Sequence, residues 1–157
     1  MRSNFILLMT LLFFSTGIIG CGLIKSDADR VQEVIDSIAE YKANYEKNCQ
    51  GIEPSVANMQ KLFKEMSLYS DNLEQLNVSN CPEDFRKCYE DYAKKIANTV
   101  NLSNQISNNS DDGMTMFLFM AQIATYTEEV KKSEETLYQL AKEKYGASVP
   151  TVGFEVK

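Results

Sequence analysis

The sequence predicts an all-α protein, an antiparallel four-helix bundle that follows a cleaved signal peptide. Three observations predict it. Apolar residues recur at three- and four-residue steps in four segments, turn-forming residues separate these segments, and no part of the core alternates with the period of two that marks a half-buried strand. Four helices that each carry one apolar stripe bury those stripes most simply around a common core.

The first helix is predicted to begin after Ser26, because Asp29 stands three residues later and the two can form a capping pair. It should end near Asn48, ahead of Gly51. Pro54 suits the first turn of the second helix. The predicted stripes are Val31, Val34, Ile35, Ile38, Tyr41 and Tyr45 in the first helix, and Val56, Met59, Leu62, Phe63, Met66, Tyr69, Leu73 and Leu76 in the second.

The third predicted helix opens at Pro82, where two acidic residues follow at the positive end of the helix dipole. A polar loop, 107–113, ends it. The fourth helix runs from about Met114 to Tyr145, and Gly146 closes it. The predicted stripes are Phe85, Tyr89, Tyr92, Ile96, Thr99 and Ile106 in the third helix, and Met116, Phe119, Ile123, Tyr126, Val130, Leu137 and Leu140 in the fourth.

The first residues have the three parts of an export signal: Arg2 supplies a positive charge, residues 5–14 are almost all apolar, and small residues come before Cys21. The apolar run is too short for a transmembrane helix, which needs about 20 residues. A lipobox has a branched aliphatic residue three positions before a cysteine and a small residue directly before it. Ile18, Gly20 and Cys21 match these positions. On these residues the chain resembles a bacterial lipoprotein precursor.

The resemblance implies that residues 1–20 are removed, that the thiol of Cys21 receives a diacylglycerol, and that the new amino terminus carries a further acyl chain such as palmitate. Two or more acyl chains hold a protein stably to a bilayer. Gly22 is not the aspartate that retains enterobacterial lipoproteins at the inner membrane. The resemblance therefore favours the outer membrane, with the domain in the periplasm or at the cell surface.

The chain is expected to divide into a signal peptide (1–20), a lipidated N-terminus with a short tether (21–26), a helical bundle (27–146) and a tail (147–157). Without the signal, 15 basic and 22 acidic residues remain, a net charge of −7. Such a chain lacks the basic surface that nucleic-acid binding requires, so a nucleic-acid partner is excluded. Residues 81–86 with Tyr89 resemble a stretch in small uncharacterised helical proteins of bacteria, to which no activity is attached.

The sequence contains no histidine. Histidine is the usual general base near neutral pH and the commonest metal ligand, so Ser-His-Asp and Cys-His catalysis and His-ligated zinc or haem are excluded. The loop from Asn108 to Gly113 resembles the start of a calcium loop, but Phe119 occupies the position of the closing glutamate. Met114 and Met116 suggest a copper site with thioether ligands, but they are two residues apart and would point to nearly opposite sides of a helix. They therefore cannot bind the same ion. No enzyme, cofactor or metal site is predicted.

Three cysteines remain beyond the anchor, Cys49, Cys81 and Cys88, and an oxidising compartment favours a disulfide. Cys81 and Cys88 are about 10 Å apart along a helix, whereas a bridge needs Cα atoms within about 7 Å. Cys49 lies the length of the second helix away, about 33 Å if that helix is straight. Either there is no bridge, or the second helix bends or ends early.

Residues 114–121 are apolar almost all the way round a helix. Such a segment is either the most buried part of its bundle or covered by something else. Phe117 and Leu118 exceed what an ordinary core needs and form a candidate interaction face. The tail carries Val152, Phe154 and Val156 at alternate positions and is expected to dock loosely on the bundle; pairing with a partner's edge and disorder are the alternatives. Cover of Phe117 by Val152 and Phe154 within the chain is the alternative to an interaction face.

These observations favour a non-enzymatic envelope lipoprotein, a tethered helical module that associates with an envelope protein or with itself. The alternative is a lipid- or small-molecule-binding lipoprotein whose pocket lies among the tyrosines and methionines of the helical core.

Overall fold

The computed structural model describes residues 25–52, 56–108 and 113–150; for 56–57, 106–108, 113–121 and 123–124 it describes the backbone alone. Within these ranges there are four helices and no strand. They are α1 (Asp27–Cys49), α2 (Val56–Gln75), α3 (Glu83–Asn108) and α4 (Gly113–Tyr145). The all-α prediction is confirmed.

The four helices form a closed ring in which each packs against two neighbours. Helix α1 contacts α2 and α4, and α3 contacts the same two. Along α2 and α3, residue numbers rise on one helix as they fall on the other. Tyr69 meets Tyr92 on α3, for example, and Leu73 four residues later meets Tyr89. This order of contacts is compatible with the bundle that the sequence predicts.

The core takes residues from the predicted stripes of all four helices, with departures in three of them. In α2, the predicted residues Met59, Leu62, Phe63 and Met66 are half-buried and lie outside the core, and in α3 Val100 is buried although it was not predicted. In α4, Tyr138 and Ala141 are fully buried, whereas Leu140 of the predicted stripe is half-buried. The buried apolar side chains of the helices are Val31, Val34, Ile35, Ile38, Tyr69, Leu73, Phe85, Tyr89, Tyr92, Ile96, Val100, Val130, Leu137, Tyr138 and Ala141.

The helix ends follow the predicted capping residues. Ser26 and Asp29 form a reciprocal capping box at the start of α1. After α1 the chain makes a type II turn, in which Gly51 has the positive φ of 75° that this turn requires. Helix α4 ends in a Schellman motif, with Gly146 at φ 68° and the Ala147 N–H donating to the Ala141 carbonyl.

The polar loop predicted at 107–113 is shorter in the structure. Residues 107 and 108 continue α3, and Gly113 already belongs to α4. Short polar residues are unfavourable in the interior of a helix but are tolerated in its last turn. There, their side chains can form hydrogen bonds with backbone groups that have no partner within the helix. Residues 109–112, which carry the rest of the calcium-like loop, lie outside the described residues.

Candidate functional site

The end of the bundle at which α1 begins is here called the anchor end, because the sequence predicts a lipid anchor five residues before Ser26. It brings together the start of α1, the end of α2, the start of α3 and the end of α4. Arg30 donates to the Asn80 carbonyl at 3.0 Å. Asp84 accepts hydrogen bonds from Lys144 and, at 2.6 Å, from the Tyr145 hydroxyl. These two bonds lower the pKa of Asp84 from 3.8 to about 2. Cys21 itself lies outside the described residues.

The first residues of the tail also belong to the anchor end. The Gln32 side-chain amide donates to the Ser148 carbonyl at 3.1 Å and accepts from the Ser148 N–H at 2.7 Å. Ala147 is buried, and Val149 packs against the core. The tail therefore docks on the bundle as far as it is described, to Pro150. Val152, Phe154 and Val156 lie beyond the described residues.

At the opposite end, here called the free end, α4 continues past the end of α1. Lys42 of α1 pairs with Glu134 of α4, which fixes the register of the two helices. Seven residues after Lys42, α1 ends at Cys49, level with Thr127 on α4. Helix α4 therefore extends for 14 residues, about 21 Å, beyond α1. Phe117 and Leu118 lie in this extension, where the structure describes the backbone and not the side chains.

The middle of the core holds an ion pair. The Lys42 ammonium lies 2.8 Å from the Glu134 carboxylate, with side-chain exposures of 6% and 1%. Charges so deeply buried are retained only when they are paired and hydrogen-bonded. The pair was not predicted from the sequence, although its signal was present. Lys42 follows Ile38 by four residues and Glu134 follows Val130 by four, so that each charge interrupts an apolar stripe.

Tyrosines surround the ion pair. The Tyr69 and Tyr92 hydroxyl oxygens are 2.6 Å apart and share a hydrogen bond, and the Tyr45 ring lies 5.9 Å from that of Tyr69 between centroids. Tyr89 donates to the Leu73 carbonyl. Burial raises the pKa of Tyr69, Tyr89 and Tyr92 above the ordinary value of 10. These phenols thus stay neutral and fill the core.

Tyr138 has a buried hydroxyl that makes no hydrogen bond of acceptable geometry within the described residues. Its pKa is raised by burial and then by the nearby Glu134 carboxylate, which favours the neutral phenol. The phenol of Tyr138 thus stays neutral beside the Lys42–Glu134 pair.

The three cysteines that the structure describes are free thiols. Cys81 lies at the anchor end, where its sulfur is 3.9 Å from the Arg30 carbonyl. Cys49 ends α1 at the other end of that helix, about 28 Å away. Cys88 faces α4 from the middle of the bundle, and α2 is continuous from Val56 to Gln75. Burial raises the pKa of all three thiols, which opposes formation of a nucleophilic thiolate.

A shallow groove between α3 and α4, of about 320 Å³, is lined mainly by polar and charged side chains. Two of its lysines already have carboxylate partners, because Lys87 pairs with Glu83 and Lys95 with Asp91. Surface pairs of this kind are worth at most about 1 kcal/mol. The complete lining is Lys87, Cys88, Asp91, Lys95, Lys132, Ser133 and Thr136.

Within the described ranges, no helix is both long and apolar enough to cross a bilayer, and no group of three histidine, cysteine or acidic side chains is placed to hold a metal ion. Comparisons with protein-family models, with curated protein sequences and with solved structures found no match to this chain.

Proposed function

We propose that this chain is a lipid-tethered helical module of the bacterial envelope, which binds another protein through the free end of its bundle. The attachment is argued from Ile18, Gly20 and Cys21. Between Cys21 and the cap of α1 at Ser26 the chain can span about 17 Å at most. The bilayer that holds the acyl chains then lies next to the anchor end, and the free end points away from it.

The observation that carries the binding proposal is the extension of α4 by about 21 Å beyond α1. A bundle helix needs apolar residues at about three positions in seven, for the neighbours on its inner side. Residues 114–121 are apolar at seven positions of eight, yet α1 is not alongside them. A surplus of apolar residues where a neighbour is missing favours an external partner.

The tail does not supply the missing cover. It leaves the bundle at the anchor end, where Ser148 is held by Gln32. Phe117 lies 28 residues before Tyr145 on α4, about 42 Å along the helix. Fully extended, residues 151–157 span about 24 Å. Intramolecular cover of Phe117 by Val152 and Phe154, one of the alternatives open from the sequence, is therefore excluded by distance.

The alternative of a pocket in the helical core has less support. It requires tyrosines that line a cavity, whereas Tyr69, Tyr89 and Tyr92 are buried and bonded to one another or to the backbone. The proposal includes no catalysis, because the chain lacks histidine and burial raises the pKa of its described thiols. The module's role is recognition.

The test is Phe117→Glu, with Leu68→Glu as the matched control. Leu68 is an apolar side chain on α2 that is 47% exposed, so its replacement introduces the same charge away from the free end. We expect both variants to keep the wild-type melting temperature, and Phe117→Glu alone to lose the complexes formed by photo-cross-linking in intact envelopes. Unfolding of Phe117→Glu would identify the residue as core. Unchanged cross-links would contradict binding at the free end.

A further inference from the structure

We propose that the free end binds an amphipathic helix of the partner protein, which continues the line of α1 and takes its place between α2 and α4. This helix has about 14 residues, the length by which α4 extends beyond α1, and it carries acidic residues on its polar side. The inference rests on the proposed binding at the free end and specifies the shape and the charge of what binds there.

The first observation is a gap in the ring of helices. Within the described ranges, α2 and α4 each pack against α1 and α3, but they form no packed interface with each other. Helix α1 separates them and ends at Cys49. The Asn48 side chain donates to Glu65 at 2.8 Å, so that eight residues of α2, about 12 Å, also continue beyond α1. Beyond Cys49, α2 and α4 are thus the two walls of a space, here called the open slot.

The second observation is that side chains on both walls lose their cover where α1 ends. On α4, Glu134 is buried, whereas Thr127, seven residues earlier on the same face of the helix, is exposed. On α2, Tyr69 is buried, whereas Leu62 and Met59, which continue its stripe towards the free end, are half-buried. A stripe at steps of three and four residues is the surface against which another helix packs.

The chain itself offers little to fill the open slot. The connection from α1 to α2 has six residues, 50–55, fewer than half of the 14 by which α4 extends beyond α1. The tail leaves the bundle at the anchor end, where Gln32 holds Ser148. Cover of the open slot along its length therefore has to come from another molecule.

A second copy that is tethered to the same bilayer does not fit. If its α4 entered the open slot in the direction of α1, the rest of its bundle would overlap α1. If its α4 entered in the opposite direction, its anchor end would point away from the bilayer. Helix α4 is about 50 Å long, whereas the tether spans about 17 Å at most. The occupant is therefore a helix of a different protein.

The charges along the walls determine which helix fits. Residues 56–64 of α2 and 113–127 of α4 include two charged residues, Lys61 and Lys64, and both are exposed. Lys61 lies one turn before Glu65, which contacts α1, so Lys61 stands at the rim of the open slot. A positive rim is an exception in this acidic chain. Acidic residues on the polar side of the bound helix would complement it.

The probes for this proposal are two synthetic peptides of about 14 residues, both with leucine at helical steps of three and four. On the opposite side, one peptide carries glutamate and the other lysine. The full-length lipoprotein is placed in phosphatidylcholine nanodiscs, and nanodiscs without protein give the background. We expect fluorescence anisotropy to show that the glutamate peptide binds about tenfold more tightly than the lysine peptide, although the protein is acidic overall.

Charge reversal identifies the residues responsible. Lys61→Glu combined with Lys64→Glu should reverse the preference between the two peptides. The matched control is Lys94→Glu combined with Lys142→Glu, which makes the same change of charge at exposed positions away from the open slot and should leave the preference unchanged. All four positions are on the surface, so both double variants should keep the wild-type melting temperature.

A tryptophan placed in the open slot locates the bound peptide, because the chain has no tryptophan of its own. Thr127→Trp should emit at shorter wavelength when the glutamate peptide binds. The control is Leu68→Trp, at an exposed position of α2 below the end of α1, and its emission should not change.

Equal binding of the two peptides to the wild-type protein, or an unchanged emission at position 127, would show that no acidic helix occupies the open slot. A dimer in light scattering that the peptide dissociates would identify a second copy as the occupant and would also contradict the proposal. The cross-links of Phe117→Glu separate these failures from failure of the proposed function. Loss of those cross-links keeps binding at the free end, whereas unchanged cross-links would contradict both.

Discussion

The Lys42 ammonium and the Glu134 carboxylate are 2.8 Å apart in the middle of the bundle, and each side chain is more than nine-tenths buried. Their pairing joins α1 to α4 at a single register. A one-turn slip between these helices would leave both charges buried and unpaired, which is strongly unfavourable. We infer that the main effect of the pair is to fix the register of α1 against α4, rather than to stabilise the fold. The pair thereby determines how far α4 extends past α1.

Removing one partner of this pair should be costly. We predict that Lys42→Met destabilises the protein by about 3–5 kcal/mol, because Glu134 is left as an uncompensated buried charge. Lys42→Met combined with Glu134→Leu should recover most of that loss. The control is Lys95→Met, which breaks a surface pair with Asp91 and should cost no more than about 1 kcal/mol. Urea unfolding measures all three; equal effects for Lys42→Met and Lys95→Met would contradict a buried pair.

Phe85 is the second expected point of sensitivity. Its ring is fully buried and makes a T-shaped contact with the Tyr145 ring, at 6.3 Å between centroids, so it joins the start of α3 to the end of α4. We predict that Phe85→Ala costs about 3–5 kcal/mol through lost contacts and a cavity. Leu68→Ala, at an exposed site, should change the free energy of unfolding by less than about 1 kcal/mol. An unshifted melting temperature for Phe85→Ala would place the α3 stripe in solvent.

Asp84 should make the anchor end sensitive to acid. Hydrogen bonds from Lys144 and Tyr145 lower its pKa from 3.8 to about 2. A carboxylate with a depressed pKa stabilises the folded state above the unfolded value, and this contribution is lost as pH falls from about 4 to about 2. We therefore predict that Asp84→Asn lowers the melting temperature at neutral pH, and that the difference disappears near pH 2.

The control for Asp84 is Asp71→Asn, at an exposed position of α2. This variant should shift the melting temperature little at any pH. If Asp84→Asn destabilises the protein equally at neutral pH and near pH 2, the effect comes from packing, and the hydrogen bonds from Lys144 and Tyr145 do not act through the ionised carboxylate.

The helices were predictable because their signals are local. The capping residues Ser26 and Asp29, the stripes and the glycines after α1 and α4 each depend on neighbours within one or two turns. Some core residues were missed for a different reason. Tyr138 and Ala141 are buried because of the way α4 rotates against α1 and α3, and a single stripe does not specify that rotation.

The candidate site was less predictable because it depends on distances between segments. The sequence shows that residues 114–121 are apolar, but not that α1 ends about 21 Å short of the start of α4. It also left cover by the tail open, which the Gln32–Ser148 contact and the length of α4 now exclude. The Lys42–Glu134 pair was not predicted, because each charge visibly interrupts an apolar stripe but neither segment indicates a partner 92 residues away.

The most direct test of a lipid-tethered module is the mass of its first mature residue. Full-length protein is purified from bacterial membranes, digested, and its amino-terminal peptide is measured beside that of Cys21→Ser. The account predicts a wild-type peptide that begins at Cys21 and carries diacylglycerol with a further acyl chain, and a Cys21→Ser protein that keeps residues 1–20. A wild-type chain that begins elsewhere, or a Cys21 without lipid, would contradict it.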